Sequence, residues 1–586
     1  MGIFFVYSAG AALVPIEKNF ENQFQNLTIS ERIGQLIDLR VSPTKENLEA
    51  ILATVREYNI GSITIAGGEP NAAATLIYRL NYLAQLPVFI SVEQRQLPNL
   101  PFGQRSVVPL STTFIAAGDP NLYNRGINRL ADLLYEASVN GVVYSPVSMT
   151  VMDNTVEWNS ESSPGEKNIT DGFSTILSAH KLAATIPIRF RFSDSFGFSP
   201  RNLDFDEFNI SGEDRAKLSL VNQPLTVLQI VDFPAFPENE AALFQKKVMS
   251  PLLWKDWQFA GMIAADLDKI CGARLTQPKM TDVRALLKSG ADKIIISSDP
   301  GLVQNAILEG INNRFFRQNE ITDKVKRILR QKSDVAWSAD SSAMAPGDIS
   351  KFQSDNTLRE VAYRVFSAAP EIRELSSPFL PIDTILNKSF ASLTIGRSSE
   401  STFQEVLEKY APTVHFSIPG LTLDHDRLDV LRNRLANFDY VFVALFTNDL
   451  LAFDQSIIQF LTNLKATTNV AVIFFGNENS VIGDFEAFEH RILMREDCAF
   501  TQQIAPQLLF GAIGFENSKQ RLGYSLPEIQ EMDASVLAKI DVIAREAIQM
   551  GATPGMQILI ARHGSVIMEK SYGFTTYDSL TAVQNI

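Results

Sequence analysis

Trp257-Gln-Phe-Ala-Gly-Met-Ile-Ala-Ala-Asp-Leu-Asp-Lys-Ile270 is the stretch on which the fold turns. An apolar run, Phe259 to Ala265, ends in a carboxylate, Asp266, and a helical pattern, Leu252 to Trp257, precedes it. A short buried strand that ends in an acid fits a parallel barrel, where chemistry gathers at the carboxyl ends of the strands. Position alone leaves two readings of Asp266 open. It either does chemistry, or it caps the next helix and makes an ion pair.

Outward from this stretch, short apolar runs alternate with amphipathic segments. Candidate strands are Leu36–Val41, Ser62–Ala66, Val88–Glu93, Val142–Val147, Ile186–Ser193, Leu225–Asp232, Gly261–Asp266 and Lys293–Ser298. Helical patterns such as Leu48–Glu57, Ala72–Ala84, Leu122–Asn140 and Thr281–Ser289 lie between them, and Ser30 is placed to cap the first helix. Strands alternating with helices imply parallel pairing and right-handed crossovers. About eight such units predict an α/β fold with a TIM (β/α)8-type barrel.

Ser250-Pro-Leu-Leu-Trp-Lys-Asp-Trp-Gln-Phe-Ala-Gly-Met-Ile-Ala-Ala-Asp266-Leu resembles the nucleophile segment of family 3 glycoside hydrolases, with Ala265 for the usual Thr and Gln258 for the first Gly of the turn. Further phrases follow in the family's order: Ile33-Gly-Gln-Leu36, Asn59-Ile-Gly-Ser-Ile63, Leu86 to Glu93, Gly141 to Val147, Ser289-Gly-Ala-Asp292 and Val325 to Lys332. The resemblance implies that Asp266 is the nucleophile of a retaining mechanism, with amino sugars or peptidoglycan fragments as ligands.

That mechanism also needs a proton donor for the leaving oxygen. In the acetylglucosaminidase branch a histidine supplies it, in a loop after the fifth strand. Here the place reads Ile188-Arg-Phe-Arg-Phe-Ser-Asp-Ser-Phe-Gly197, without a histidine. Arg189 and Arg191 are candidates for holding sugar hydroxyls, but an arginine pKa above roughly 12 makes a poor acid. Asp194 is the substitute acid, or else a turn residue between two serines. Glu93 stands where the family has a sugar-gripping aspartate, Arg95 replaces its second acid, and Met149 falls where it has another acid. The phenylalanines at 190, 192, 196 and 198 suggest an apolar barrel mouth. The expectation is a damaged active site that binds glycan or serves as a scaffold. A weak enzyme using Asp266, or a purely structural module, are the alternatives.

Ser338 to Pro346 is linker-like. Strands then return at Ala391–Ile395, Val414–Ile418, Tyr440–Phe446, Val470–Phe475 and Ile492–Arg495, predicting a smaller three-layer α/β sandwich. Phe474-Phe-Gly-Asn477 and Ala505 to Gly511 resemble the domain that follows the family's barrel. Ser535–Met550 predicts a helix, and Pro554 to Gly573 a hairpin turning at His563-Gly564. This piece resembles the opening of a serine beta-lactamase-like domain, whose Ser-x-x-Lys motif does not follow before Ile586. The expected divisions are 1–28 (apolar arm or signal remnant), 29–335 (barrel), 336–385 (linker), 386–528 (sandwich) and 529–586 (start of the hydrolase domain).

A net charge of −14 argues against nucleic acid, which needs a basic face. Cys271 and Cys498 form no framework, and five scattered histidines give no metal pattern, so no cofactor is expected. Gly2 to Val14 is too short to cross a bilayer, and no later segment reads as a span. By family resemblance, the location expected is periplasmic or cell envelope, with the cytoplasm as alternative.

Overall fold

The computed structural model describes residues 24–583, apart from 84–85, 94–108, 110, 144–146, 153–154, 161–175, 193–197, 204–224, 336–354, 374–378, 383, 398–400, 420–424, 447–454, 477–487, 489, 514–521 and 579. Two compact units emerge: 1–108 with 124–355, and 109–123 with 356–586.

In the first unit the strands are β1 (Ile37–Val41), β2 (Ser62–Ile65), β3 (Phe89–Glu93), β4 (Gly141–Val143), β5 (Val147–Met152), β6 (Thr155–Ser160), β7 (Ala183–Arg191), β8 (Val227–Asp232), β9 (Met262–Asp266) and β10 (Lys293–Ile296). Eight of them, all but β5 and β6, close into a parallel ring in the order β4-β3-β2-β1-β10-β9-β8-β7, and β7 pairs back to β4. The predicted α/β barrel is therefore present. One predicted strand, Val142–Val147, divides: β4 stops at Val143, and β5 begins at Val147 as half of an antiparallel hairpin with β6. The nine residues of β7 make this possible. Their first part pairs with β4 and their last part with β5.

Alternation along these strands sorts the ring into two faces. Ile63, Ile65, Ile90, Val92, Ile294 and Ile296 are fully buried on the face toward the helices. Several inward positions are polar. Lys293 Nζ donates to Asp38 at 2.5 Å, Thr64 donates to Asp38 at 2.8 Å, and Thr64 meets Ser91 at 2.9 Å. The helix Gln318–Asp334 brings Lys332 against Gln35 Oε1 (2.8 Å) and the Pro87 carbonyl (2.9 Å). Buried polar groups of this kind persist only when hydrogen-bonded.

The second unit holds β11 (Glu371–Arg373), β12 (Phe390–Ile395), β13 (Thr413–Ile418), β14 (Tyr440–Phe446), β15 (Asn469–Phe475) and β16 (Arg491–Leu493). Their order is β11-β16-β15-β14-β12-β13, parallel except at β11. This is the smaller α/β sandwich. Val441, Val443, Leu445, Val472, Leu461 and Leu464 form part of its core. Within 336–385, residues Asn356–Ala368 form a helix with Leu358, Val361, Val365 and Phe366 buried. The helix Ser111–Ala117, from between β3 and β4, also belongs to this unit.

The predicted hairpin forms from β18 (Gly555–Arg562) and β19 (Ser565–Gly573), with positive φ at both His563 and Gly564. It gains a third strand, since β17 (Gly523–Tyr524) pairs with β19 in parallel. Glu569 fixes the join: its side chain is 2% exposed, it accepts from Tyr524 Oη at 3.0 Å, and Lys409 Nζ stands 3.5 Å away. No helix among the described residues is long and apolar enough to cross a membrane.

Burial, reinforced by the Lys293 charge and opposed by Asp38, pushes the Lys332 amine down to about 7. An unfolded lysine titrates near ~10.4. Between those values the unfolded chain binds more protons, so stability rises with pH through that window, and the full penalty is present below about 7. Urea midpoints of the first unit should therefore climb by roughly 2 kcal/mol equivalent between pH 7.5 and 9. Lys332→Met should flatten that slope. An unchanged slope would show that the lysine carries its charge in the fold.

Candidate active site

The turn before β9 explains how the chain delivers Asp266. Gln258 adopts φ +52°, the left-handed region where the resembling segment carries glycine. Gly261 admits no side chain, because a Cβ there would lie 2.2 Å from the Thr226 carbonyl. β9 then runs inward-facing at Ala264 and Asp266, and the chain turns at once into the helix Leu267–Ala273.

Asp266 is fully buried, and all its acceptor positions are filled. Oδ1 accepts from Arg40 Nη1 at 2.9 Å and from the Lys269 backbone N–H at 3.1 Å. Oδ2 accepts from Gln229 Nε2 at 2.7 Å and, closely, from Arg40 Nη2. The fork-to-fork arginine pair comes from β1, across β10 from β9. A carboxylate offers about four lone-pair sites, and four hydrogen bonds occupy them here. Both structural roles left open for Asp266, helix cap and ion pair, are realised together.

Arg40 is the hub. Its Nε donates to Glu93 at 3.0 Å, and its Nη1 lies 3.5 Å from Asp268. Lys269 Nζ stands 3.5 Å from Asp266 and 3.9 Å from Glu93. Burial disfavours the Arg40 cation. The hydrogen bonds and charge of Asp266, then the charges of Glu93 and Asp268, outweigh burial and hold its pKa above the ordinary range. The cluster thus holds two cations and three carboxylates.

Of the residues singled out from the sequence, Asp266 and Glu93 come together, bridged by Arg40. Arg189 is partly buried on β7 and makes no ion pair among the described residues. Arg191 stands 60% exposed and bonds Asp232 at 2.9 Å. Asp194 lies outside the described residues, as do Arg95 and Phe196. Among the described residues no histidine joins the cluster; His180 precedes β7 and pairs with Asp132 at 3.2 Å.

The described phenylalanines, Phe190, Phe192 and Phe198, pack around Phe244 and do not fill the mouth. Pro187 is in register with Gln229, which points inward, so Ile188 and Phe190 face the helices. Phe190 packs edge-on against Phe233 and Phe244, and Phe192 and Phe198 also stack around Phe244. Arg40, Gln229 and Lys269 were not singled out from the sequence. Their signal is a charge or amide inside an apolar strand, as in Ile37-Asp-Leu-Arg-Val41 and Val227-Leu-Gln-Ile-Val-Asp232.

No family model matches this sequence, and no curated protein does. Solved structures do align. A beta-glucoside phosphorylase, BglX, bound to 2FGlc matches with TM-score 0.64 at 13% identity, over 85% of this chain and 94% of its own. A glycoside hydrolase family 3 beta-N-acetylglucosaminidase from Paenibacillus sp. str. FPU-7 matches with TM-score 0.61 at 15% identity, over 84% and 98%. A beta-glucosidase from Listeria innocua in complex with glucose gives 0.59 at 13%, over 85% and 75%. The fold is therefore that of the family 3 glycosidases, barrel and second domain together.

Removing one partner of a buried ion pair strands the other charge. Asp266→Asn should destabilise the first unit by roughly 3 kcal/mol, and Arg40→Met/Asp266→Leu should recover most of that loss. Urea unfolding of the three proteins measures both. A more stable Asp266→Asn would mark a carboxylate held in strain for chemistry.

Proposed function

We propose that this protein is a family 3-like member, related to β-N-acetylglucosaminidases, whose barrel has lost glycosidase turnover. In this reading the barrel binds an amino-sugar glycan or peptidoglycan fragment, or serves as a scaffold. The observation that carries the proposal is the saturation of Asp266 by Arg40, Gln229 and the Lys269 N–H. A retaining nucleophile must approach the anomeric carbon with a free oxygen lone pair. Here that approach requires breaking a buried bidentate pair first. Loss of a general acid costs roughly 10²–10⁴-fold besides.

Residues 529–586 fit the start of a serine hydrolase domain that the barrel and sandwich would present. The helix Lys539–Gln549 beside the β18–β19 hairpin supports that assignment. A periplasmic or envelope location follows from the same reading.

The decisive assay is hydrolysis of a chromogenic β-N-acetylglucosaminide by the full chain and by Asp266→Asn. Neither protein should turn it over, while calorimetry with N-acetylglucosamine oligomers should report binding that Glu93→Gln weakens. Turnover abolished by Asp266→Asn would instead establish a retaining enzyme, with Asp194 the first residue to test as its acid. Neither turnover nor binding would leave the structural role.

A further inference from the structure

We propose that the second unit carries a binding site for a small organic anion, a phosphate or carboxylate borne on an apolar body. The site is a cavity of about 880 Å³ between the helix Asn356–Ala368, the end of the helix Ala499–Leu509, β17 and the hairpin turn at His563-Gly564. That volume lies within the ~300–1,000 Å³ typical of ligand sites. Its residues belong wholly to the second unit, so the proposal stands apart from the reading of the barrel.

Charge is the first argument. The chain has 66 acidic residues and a net charge of −14, yet none of the described residues lining this cavity is acidic. Its ionisable nitrogen groups are Arg364 and His563. Arg364 Nη2 pairs with Glu360, one turn back, at 3.0 Å. A guanidinium has five donors, so most of its fork faces no carboxylate among the described residues. His563 Nδ1 is held by Gln530 Oε1 at 3.2 Å, which fixes the ring at the rim.

Shape is the second argument. Ile513, Leu522 and Ile529 form an apolar side to the cavity, and Leu522 is 55% exposed. The wall opposite the helix is also fixed in advance. The Tyr524 backbone N–H donates to Gln507 Oε1 at 2.8 Å, and its carbonyl accepts from the Tyr363 hydroxyl. A preformed wall spares a ligand the cost of ordering it. A lining that combines the Arg364 guanidinium with exposed alkyl groups favours an amphipathic anion over an inorganic one.

The test is calorimetry on the full chain with phenyl phosphate, benzoate and inorganic phosphate. One of the two organic anions should bind at a single site, and the tighter one names the head group. Arg364→Gln and Leu522→Asp, both exposed positions, should each weaken it about tenfold or more while leaving the melting temperature unchanged. Inorganic phosphate should bind at least about tenfold more weakly. Equal binding of inorganic phosphate would mean an adventitious ion only and would overturn the proposal. So would no heat with either organic anion, or affinity indifferent to Arg364→Gln.

Discussion

The pair formed by Arg40 and Asp266 is the contact from which the barrel's interior is arranged. A charge moved out of water needs a partner of good geometry, and each of these residues is the other's main compensation. Once Arg40 is fixed, its remaining donors place Glu93 and Asp268 around it. Once Asp266 is fixed, Gln229 and the first turn of the helix Leu267–Ala273 are set as well. Deeper in the ring, the chain Lys293, Asp38, Thr64 and Ser91 repeats the same logic. The interior is thus polar at two levels, with Arg40 and Lys293 each set against a carboxylate. Strands that look merely apolar by composition owe their register to a few hydrogen-bonding residues on the inward face.

Much of this was legible beforehand. The eight strands appear as apolar runs because their helix-facing positions are isoleucine, valine and leucine. Asp266 announces itself as an acid at a strand end. Its partner was harder to see, because Arg40 lies 226 positions earlier and no local pattern links the two. A lone arginine in an apolar strand should be taken as a demand for a counter-charge, and Gln229 in β8 poses the same demand more quietly. Period-two alternation also runs through Val147–Met152 and Thr155–Ser160, the two strands of the β5–β6 hairpin, which the sequence reading did not single out. The phenylalanine run was misplaced because parity relative to Gln229, and not hydrophobicity, decides which face of β7 a ring occupies.

The second unit shows how a short strand can matter. β17 contributes two residues, yet it supplies the hairpin with a neighbour, and its Tyr524 ring and hydroxyl meet Lys409 and the buried Glu569. Isolated two-stranded hairpins are marginal in water. Here the third strand, the helix beside it and a buried carboxylate with two partners give the C-terminal piece a defined seat.

The path of the chain has a consequence for how the molecule can be taken apart. Residues 109–123 leave the barrel sequence, enter the second unit and return. Within that unit Thr113 and Phe114 are buried, Thr113 donates to the buried Glu496, and Phe114 meets Tyr123 edge-on at 5.2 Å. Cutting between 336 and 355 therefore does not separate two self-sufficient pieces. A fragment beginning at Asn356 would lose the Thr113 hydrogen bond to Glu496 and bare the surface that Phe114 covers. A barrel fragment would carry an orphaned apolar helix in its β3–β4 connection. The two units are discontinuous segments of one polypeptide, and the natural unit of expression spans both.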